Sequence, residues 1–541
     1  MRYRLCILAA GQGTRLSSWQ MIHKALLPVG NKGVISHIID GVPREVEIVI
    51  ACGYKSDQIK NFIALAHPER KIIFVDVDQW MGEGSGPGYS LLACRPELNC
   101  PFVFTSADTL VGVSIPDPSA NWIGVAGVED TRSFLVAEVK NGQVTDFFDK
   151  VNKPELRQQA FIGMAGVYNW EAFWETLANN KRVLVKGELQ VANGLGGLIA
   201  SGIMPKTFTW HDTGTDENYE KATKCYSEIV ARKENEFLYM QGGRVIKFFA
   251  DQDLTNRRVA RAKYLRGVVP KITGHRGQFY AYDKVPGHLI SEVHDVEVFK
   301  DFLKFCQESL WNNKVRLVGA SLRDFQNRCD QFYRVKTMER VRQFCETTGI
   351  RDNKGKINGV EIPELEIILG QVDWDGLSRG VAACFHGDLQ PENIIVTSEN
   401  RFSLIDWRQD FAGLLEYGDV YYDLAKLDHA LLINGRVVRE GDFSVDVRGS
   451  DMVFEFYIRS HLIEYREIFH EFIVANGFDL TKVKVMSSII YLNIAPLHHS
   501  PYNKFLFYIG KYFLHHELKK VNGHSGSVCE REAAAVAGVS A

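Results

Sequence analysis

The sequence has no long apolar run, no strong net charge and no paired-cysteine motif, and each absence excludes a class of protein. No apolar stretch approaches the roughly 18 residues that a membrane-spanning helix needs. The 63 Lys and Arg residues nearly balance the 66 Asp and Glu residues, so no overall field attracts nucleic acid or an anionic membrane. The ten cysteines show neither a C-x-x-C pair nor the spacing of a zinc site. We therefore expect a reduced, cytoplasmic protein without a nucleic-acid or membrane partner.

The length and composition predict a folded chain of several domains. At about 150 residues per domain, 541 residues correspond to two to four domains. The first residues, MRYRLCILAAGQG, hold a short apolar run that enters a glycine loop. This pattern predicts a first strand and not a signal peptide.

The N-terminal part alternates short apolar runs with amphipathic stretches, which is typical of an α/β domain with a mostly parallel sheet. Runs rich in Val, Ile and Phe predict strands at Tyr3–Ala9, Val46–Ala51, Lys71–Val75, Phe102–Thr105, Trp122–Val128 and Leu135–Val139. Helical spacing predicts helices at Gly33–Asp40, Ser56–Ala66, Gly88–Cys94 and from Glu217 to Glu236.

A different pattern begins near residue 235. A Gly242-Gly243 turn predicts a β-hairpin over Tyr239–Phe249, and Gln278–Val285 predicts a further strand. From Val296 onward the composition is helical, apart from a strand–turn–strand around Ile394–Ile405. We expect domains at residues 1–235 and 236–521, followed by a mobile tail at 522–541 that is rich in Gly, Ser and Ala.

The segment Leu8–Leu16, with the sequence LAAGQGTRL, follows the first predicted strand. Its glycines let the backbone approach a polyphosphate, and Arg15 adds a fork of donors suited to phosphate oxygens. Leu16 stands where a dinucleotide fingerprint has its third glycine, so dinucleotide binding is disfavoured. The nearby segment His23–Gly30, HKALLPVG, adds the cation of Lys24.

These two motifs together resemble those of the sugar-phosphate nucleotidyltransferases, or nucleotide-sugar pyrophosphorylases. More motifs follow in the family's order: GSGPGYSLL at 84–92, SAD at 106–108, FDK at 148–150, GELQ at 187–190 and WHDTGT at 210–215. The resemblance covers about residues 3–230. It implies a Rossmann-like (GT-A-like) domain that transfers a nucleotide from an NTP to a sugar phosphate, with Mg²⁺ as cofactor.

The resemblance also gives a role to each matching residue. The catalytic cations would be Arg15 and Lys24, and the metal ligands Asp108 and Asp212. The sugar phosphate would be bound by Lys150 and Glu188, and the nucleotide by Leu8, Ala10, Gly11, Gly13, Thr14, Gly86 and Ser90. The LAAG form favours a pyrimidine nucleotide, CTP or UTP.

A second site is predicted by FHGDLQPEN at 385–393, in which four residues separate Asp388 from Asn393. This is the spacing of the protein-kinase catalytic loop. With LIDW at 404–407, the pattern resembles the aminoglycoside/choline kinase-like phosphotransferases over about residues 238–520. The resemblance implies a protein-kinase-like α+β domain. Asp388 would be its catalytic base, and Asn393 and Asp406 would hold Mg²⁺ on ATP.

The motif VIKF at 245–248 resembles the kinase strand whose lysine, here Lys247, binds the ATP phosphates. The usual glutamate partner is missing, because no Glu occurs between Phe248 and Ser291. Asp253 is one alternative partner and a different placement of Lys247 is another, so the partner is left open.

The two predicted sites indicate consecutive reactions, because a kinase produces a phosphomonoester and the nucleotidyltransferase consumes one. We expect phosphorylation of a small-molecule hydroxyl, of a sugar in preference, followed by formation of an NDP-sugar for surface glycans such as capsule polysaccharide.

The alternative is a choline-like amino alcohol that ends as a CDP-alcohol. Its basis is the set of aromatic residues Trp407, Tyr417, Tyr421 and Tyr422, which could surround a cation. A third interpretation makes one domain a silent sensor or scaffold. The acceptor, the oligomeric state and channelling are left open.

Overall fold

The computed structural model of the chain describes residues 2–226, 235–449, 451–521 and 537–540. Contacts divide the chain into two compact units. The first comprises the chain up to Thr255 together with Ile272–Lys284, and the second comprises Asn256–Lys271 and the chain from Val285 onward. Across the described ranges, no helix combines the length and the apolar character needed to cross a membrane.

A nine-stranded sheet forms the centre of the first unit. The parallel pairings join Arg4–Ala9 to Glu47–Cys52 and to Phe102–Ser106, and continue outward to Ile72–Asp76. The remaining strands are Trp122–Ala126, Leu135–Lys140, Gln143–Asp149, Ala160–Val167 and Met204–Thr207. All six strands predicted for this part of the chain are confirmed.

The other half of this sheet is mainly antiparallel, apart from the parallel pairing of Met204–Thr207 with Trp122–Ala126, so the prediction of a mostly parallel sheet is wrong there. Strand Ala160–Val167 runs antiparallel to Phe102–Ser106 and to Trp122–Ala126. The turn Asn141-Gly142 has positive φ angles of 51° and 75° and closes the hairpin between Leu135–Lys140 and Gln143–Asp149. A two-residue turn of this kind joins strands only in antiparallel order.

Both faces of the sheet are buried. Alternate residues of the first strand enter different cores, Leu5 and Ile7 on one face and Cys6 and Leu8 on the other. The helices of the first unit are Val34–Asp40, Ser56–Ala66, Pro87–Ala93, Trp170–Asn179, Ala192–Leu195 and Asp216–Cys225. The parallel strands Arg4–Ala9 and Phe102–Ser106 end at the same edge, which is where ligands bind in open α/β sheets.

A smaller antiparallel sheet belongs to the same unit and contains Glu236–Gln241, Arg244–Phe249, Phe279–Asp283 and Ile272–Arg276. It confirms the predicted hairpin and the following strand. Tyr239 contacts elements that flank the larger sheet, because its hydroxyl donates to the Leu26 carbonyl at 2.8 Å and its ring meets Phe62 of helix Ser56–Ala66 edge-on. The predicted boundary near residue 235 stays a prediction, although contacts group this sheet with the first unit.

The helix predicted from Glu217 to Glu236 is only partly confirmed. The observed helix Asp216–Cys225 ends early, and Glu236 opens a strand. Residues 227–234 lie outside the described part of the chain.

The second unit is mainly helical. Its helices are Val296–Cys306, Gly319–Asp330, Lys336–Thr348, Leu365–Leu369, Trp374–Ser378, Val420–Leu432, Gly435–Glu440, Ser460–Ala475, Leu480–Ile494 and Tyr502–Val521. The helix Gln252–Arg261 contains the point at which the two units divide. The predicted strand–turn–strand is confirmed as Ile394–Val396 and Phe402–Leu404.

The second unit also contains strands in a region predicted to be helical. The hairpin Phe443–Arg448 and Asp451–Arg459 carries Gly355–Ile357 and Val360–Ile362 at its side. Short pairings also join His288–Leu289 to Ile394–Val396, and Ala382–Ala383 to Gly418–Asp419. Ala537–Ser540, within the predicted mobile tail, pairs parallel with Phe456–Arg459, while residues 522–536 lie outside the described residues.

Candidate active sites

The glycine loop of the first unit is packed against Lys24. Gly13 has a φ of +70°, and a Cβ built there would lie 2.9 Å from Cδ of Lys24. Lys24 is the first residue of a short helical turn. The N–H of the next residue, Ala25, donates to Nδ1 of His23, which precedes the turn. Burial lowers the pKa of His23 to about 3, so its imidazole is neutral and can accept this bond. The loop conformation therefore favours a glycine at position 13, and the side chain of Lys24 packs directly against this glycine.

Two predicted carboxylates meet at Gly214. Asp108 follows strand Phe102–Ser106, and Asp212 lies in a strand paired antiparallel with Thr109–Val111. A Cβ at Gly214 would lie 3.0 Å from Asp212 Oδ1, 3.2 Å from Asp108 Oδ2 and 3.4 Å from Arg15 Nη2. The fold thus brings together Arg15, Asp108 and Asp212, which are far apart in the sequence.

The two carboxylates have opposite electrostatic surroundings. Burial would raise the pKa of Asp108, but Lys24, whose Nζ lies 2.6 Å from Oδ2, and Arg15 outweigh it and hold that pKa below its usual value. The pKa of Asp212 is raised, first by burial and then by the negative charge of Asp108. An adjacent pair of carboxylates under such repulsion fits a divalent cation with oxygen ligands.

The predicted acceptor residues lie together in a second part of this site. Lys150 has a φ of +55°, a conformation that is rare outside glycine and recurs at functional sites. Its Nζ is 3.8 Å from Glu188 Oε2, which also accepts from Gln190 Nε2 at 3.0 Å. A cavity of about 230 Å³ adjoins Lys150 and Gln190 and is also lined by Leu8, Arg15, Ser106 and Phe134.

The remaining predicted nucleotide residues have diverse surroundings. A Cβ at Gly86 would lie 2.9 Å from Cβ of Glu188, so two predicted motifs pack directly on each other. The Ser90 hydroxyl donates to the Gly86 carbonyl within its own helix. Ala10 is buried, whereas Gly11 and Thr14 are exposed at the loop.

In the second unit, the predicted catalytic loop is held by a carboxylate that sequence reasoning did not single out. The N–H groups of His386 and Gly387 donate to the two carboxylate oxygens of Asp423, at 2.7 and 2.6 Å. Arg261 donates to the carbonyls of Phe385 and His386. Burial raises the pKa of Asp423 to about 6, against the effect of these hydrogen bonds. Asp423 therefore binds the N–H groups of the loop and Arg261 binds its carbonyl groups, so the loop backbone is held in place by both.

Asp388 is contacted by the side chains of Lys426, Asn393 and His386, the last of which accepts from the Asp388 N–H at 3.3 Å. Lys426 Nζ lies 2.7 Å from its Oδ1, and Asn393 Nδ2 donates to its backbone carbonyl at 2.9 Å. Burial would raise the pKa of Asp388, but Lys426 holds it well below the usual value. Asp388 is consequently an ionised acceptor with one oxygen paired to a cation.

Asp406 and Asn393 are neighbours in the fold, because the Ile405 N–H donates to the Asn393 carbonyl at 2.8 Å. Asp406 has a φ of +62°, and Arg258 Nη1 lies 3.5 Å from its Oδ1. An amide and a carboxylate on adjoining segments supply the oxygen ligands that Mg²⁺ prefers. Within the described ranges, no cluster of three or more His, Cys, Asp or Glu side chains is arranged to hold a metal.

Lys247 lies in the small sheet of the first unit and is buried. Its Nζ is 3.6 Å from Oε1 of Glu236, on the neighbouring strand. The carboxylate partner that the sequence left open thus precedes the lysine, whereas kinases supply it from a later helix. The available signal was Glu236 itself, an acidic residue at the start of the first strand of the hairpin.

Comparison with known proteins concerns the N-terminal part. No protein-family model matches the chain. A bifunctional protein GlmU of Methanococcus vannielii is 25% identical over 219 residues, which are 38% of this chain and 51% of that protein. GlmU of Methanococcus maripaludis (strain DSM 14266) is 24% identical over 243 residues, 42% of this chain and 57% of the relative. The chain spans about half the length of these curated relatives.

Solved structures give weaker matches. A putative glucose-1-phosphate thymidylyltransferase from Bacillus anthracis is 19% identical with a TM-score of 0.35, over 43% of this chain and 98% of that one. The CTP:phosphocholine cytidylyltransferase of Streptococcus pneumoniae is 18% identical with a TM-score of 0.35, over 42% and 100%. The N-terminal part of the chain, by its motifs and its sequence relatives, resembles the sugar-phosphate nucleotidyltransferases.

Proposed function

We propose that the first unit transfers a nucleotidyl group from an NTP to a sugar phosphate and releases pyrophosphate. The observation that carries this proposal is the meeting of Arg15, Asp108 and Asp212 around Gly214. These groups lie at the edge of the sheet where the glycine loop also begins, and the order of the sequence motifs supports the same function.

In this reaction an oxygen of the acceptor phosphate attacks the α-phosphorus, and the bond from that phosphorus to the pyrophosphate oxygen breaks. Arg15 would neutralise charge on the triphosphate, and Lys150 would hold the acceptor phosphate as a point charge. No side-chain nucleophile is needed, so positioning and charge stabilisation supply the catalysis. Mg²⁺ bound by Asp108 and Asp212 would add positive charge at the triphosphate.

For the second unit we propose phosphoryl transfer from ATP to a hydroxyl group. The supporting observation is that the Asp388 loop is fixed by Asp423, while Asn393 and Asp406 stand on adjoining segments as candidate Mg²⁺ ligands. The hydroxyl oxygen attacks the γ-phosphorus, its proton passes to Asp388, and ADP leaves. Because Lys426 depresses the pKa of Asp388, that carboxylate orients the hydroxyl and accepts its proton late in the transfer. Lys247 stays the predicted ligand of the ATP phosphates.

The two reactions fit in one order. The phosphotransferase yields a phosphomonoester, and the nucleotidyltransferase consumes one, so the pair would convert a sugar to an NDP-sugar for surface glycans. CTP or UTP is the proposed second nucleotide.

The amino-alcohol alternative depends on aromatic residues that have structural contacts of their own. Trp407 is fully buried and donates to the Arg258 carbonyl at 2.9 Å. The ring of Tyr421 faces the ammonium of Lys482 at 4.3 Å, so the cation at this ring is one from the chain. Tyr422 packs edge-on against Phe332. None of these contacts favours a quaternary ammonium ligand.

A screen of acceptors against NTPs, read by mass spectrometry of the products, tests both activities. With ATP, a sugar and CTP or UTP, we expect ADP, pyrophosphate and the mass of an NDP-sugar. Efficient conversion of choline to CDP-choline would instead support the alternative. Absence of any nucleotide product from a full set of sugar phosphates would contradict the nucleotidyltransferase proposal.

A further inference from the structure

Three cationic side chains lie near the catalytic loop of the second unit, those of Lys426, Arg408 and Lys336. Lys426 already pairs with Asp388. Arg408 is next to the same loop, since its backbone N–H donates to the His386 carbonyl at 3.1 Å. A Cβ at Gly387 would lie 2.6 Å from Cβ of Arg408, so the stem of this arginine packs on the loop itself.

Lys336 is the third cation, and it shares an aromatic ring with Arg408. Its Nζ lies 4.2 Å from the ring centroid of Phe332, and Cζ of Arg408 lies 4.9 Å from that centroid. Phe411 and Tyr422 pack against the same ring, with centroids 4.6 and 4.8 Å away, and fix its position. A buried ring thus holds two like charges near each other and near the catalytic loop.

Within the described residues, neither Lys336 nor Arg408 forms an ion pair. Arg408 Nε donates to the backbone carbonyl of Asp410, while the Asp410 carboxylate contacts Arg257 at 3.3 Å and accepts from the Gly413 N–H. Burial, together with the charges of Arg408, Arg340 and Lys426, holds the pKa of Lys336 well below its usual value. An anion bound here would relieve this repulsion.

We propose that the acceptor of the phosphotransferase carries an anionic group, a carboxylate or a phosphate, which Lys336 and Arg408 bind while the hydroxyl lies at Asp388. This inference rests on the phosphotransferase function proposed above. It specifies the substrate class as hydroxylated small acids, such as sugar acids or sugar phosphates. It also disfavours amino alcohols, because their ammonium group would meet the positive charges of Lys336 and Arg408.

Acceptor selectivity of the full-length protein tests the proposal. ADP release is measured with matched sets: glycerol and glucose as neutral acceptors, glycerate and gluconate as carboxylates, glycerol phosphate and glucose 6-phosphate as phosphates, and choline. An anionic acceptor should exceed its neutral counterpart at least about tenfold in kcat/KM, the scale of one charge-assisted contact. The anionic set with the higher kcat/KM shows whether the site binds a carboxylate or a phosphate. Equal or better use of the neutral acceptors would overturn the proposal.

Variants then locate the effect. Lys336→Gln and Arg408→Gln should each raise the KM of the anionic acceptor about tenfold or more while leaving the KM of ATP unchanged. Lys336→Arg, which keeps the charge, should retain most of the acceptor affinity. Lys300→Gln, at an exposed lysine of the same unit, is the matched control. A rise in the KM of ATP alone would mean that these cations serve the nucleotide, and would overturn the proposal.

If the protein releases ADP with none of these acceptors, the proposed phosphotransferase function is wrong. The anion site is then tested by measuring ligand binding. Calorimetric titration of the full-length protein with glycerate and with glycerol phosphate should give a binding heat that the Lys336→Gln/Arg408→Gln double variant loses. No binding heat in the parent protein, or an equal heat in the double variant, would overturn the inference.

Discussion

Asp423 shows how much of the second site depends on one side chain that no motif names. Its two oxygens accept from the N–H groups of His386 and Gly387, and Trp311 Nε1 lies 3.4 Å away. The sequence did contain a signal for this role, since Asp423 is an acidic residue within the apolar helix Val420–Leu432. A buried carboxylate needs hydrogen-bond donors such as these N–H groups.

The raised pKa of Asp423 makes stability depend on pH in a defined direction. With an ordinary pKa of 3.8 and a folded pKa of about 6, the folded protein binds more protons than the unfolded chain between these values. Asp423 therefore makes stability fall as pH rises from about 4 to 6, by about 3 kcal/mol at most. We expect Asp423→Asn to remove this dependence and to lower kcat for phosphorylation.

Urea unfolding of both proteins at pH 4.5 and 6.5 measures the difference. Asp446→Asn, in an exposed hairpin strand, should follow the parent protein and serves as the control. If the free energy of unfolding of the parent and of Asp423→Asn changed equally between these two pH values, the pH dependence would not be due to Asp423.

Arg15 is the residue through which the first site contacts the triphosphate in this account. Arg15→Ala should lower kcat/KM for the NTP by about 2–3 kcal/mol, the usual scale of a charge-assisted phosphate contact. Steady-state kinetics with saturating sugar phosphate gives the value. Arg182→Ala, at an exposed arginine, is the control. Unchanged NTP kinetics for Arg15→Ala would place the triphosphate elsewhere.

At the scale of elements, the glycine loop combines an unusual backbone with a close contact. Gly13→Ala would strain a positive φ and press against Lys24, whereas Gly142→Ala would strain a φ of +75° with nothing within 4 Å. Both variants should lose about 1 kcal/mol of stability. Only Gly13→Ala should also lose nucleotidyl transfer, which a pyrophosphate-release assay measures. Equal activity of the two variants would show that the loop does not position Lys24.

The elements that could be predicted are those with a strong local pattern. The buried strand Phe102–Ser106 and the amphipathic helix Ser56–Ala66 are examples. The pairing direction of Ala160–Val167 was not predictable, because an apolar run carries no information about its neighbours. Strand Asp451–Arg459 was missed although every second residue is buried, since the chain from Val296 onward was predicted to be helical apart from the strands around Ile394–Ile405.

Sequence motifs were sufficient to select Asp108, just after a strand end, and Asp388, in a loop, as candidates, and their roles stay predictions. Partners from distant segments were not predictable, because sequence spacing does not show which segments meet. Glu236 beside Lys247, Asp423 at the catalytic loop and Gly214 between the two carboxylates are all contacts of this kind.

At the scale of the whole molecule, contacts and motifs divide the chain differently. The small sheet that carries Lys247 shares a core with the large sheet of the first unit through Phe62, Tyr239 and Phe279. The sequence pattern predicted the helix and the strands that contain these residues but gave no indication of what they pack against. The predicted acidic residues nevertheless fall in different units, Asp108 and Asp212 in the first and Asp388 and Asp406 in the second.

The central claim is that one chain carries two separable activities. Asp108→Asn should abolish nucleotidyl transfer to a supplied sugar phosphate and leave ATP-dependent phosphorylation intact, while Asp388→Asn should do the reverse. Mass spectrometry of the products from both variants and the parent, with circular dichroism to establish folding, is the most direct measurement. The account predicts that each variant loses one product and keeps the other. A single substitution that removes both products from a folded protein would contradict it.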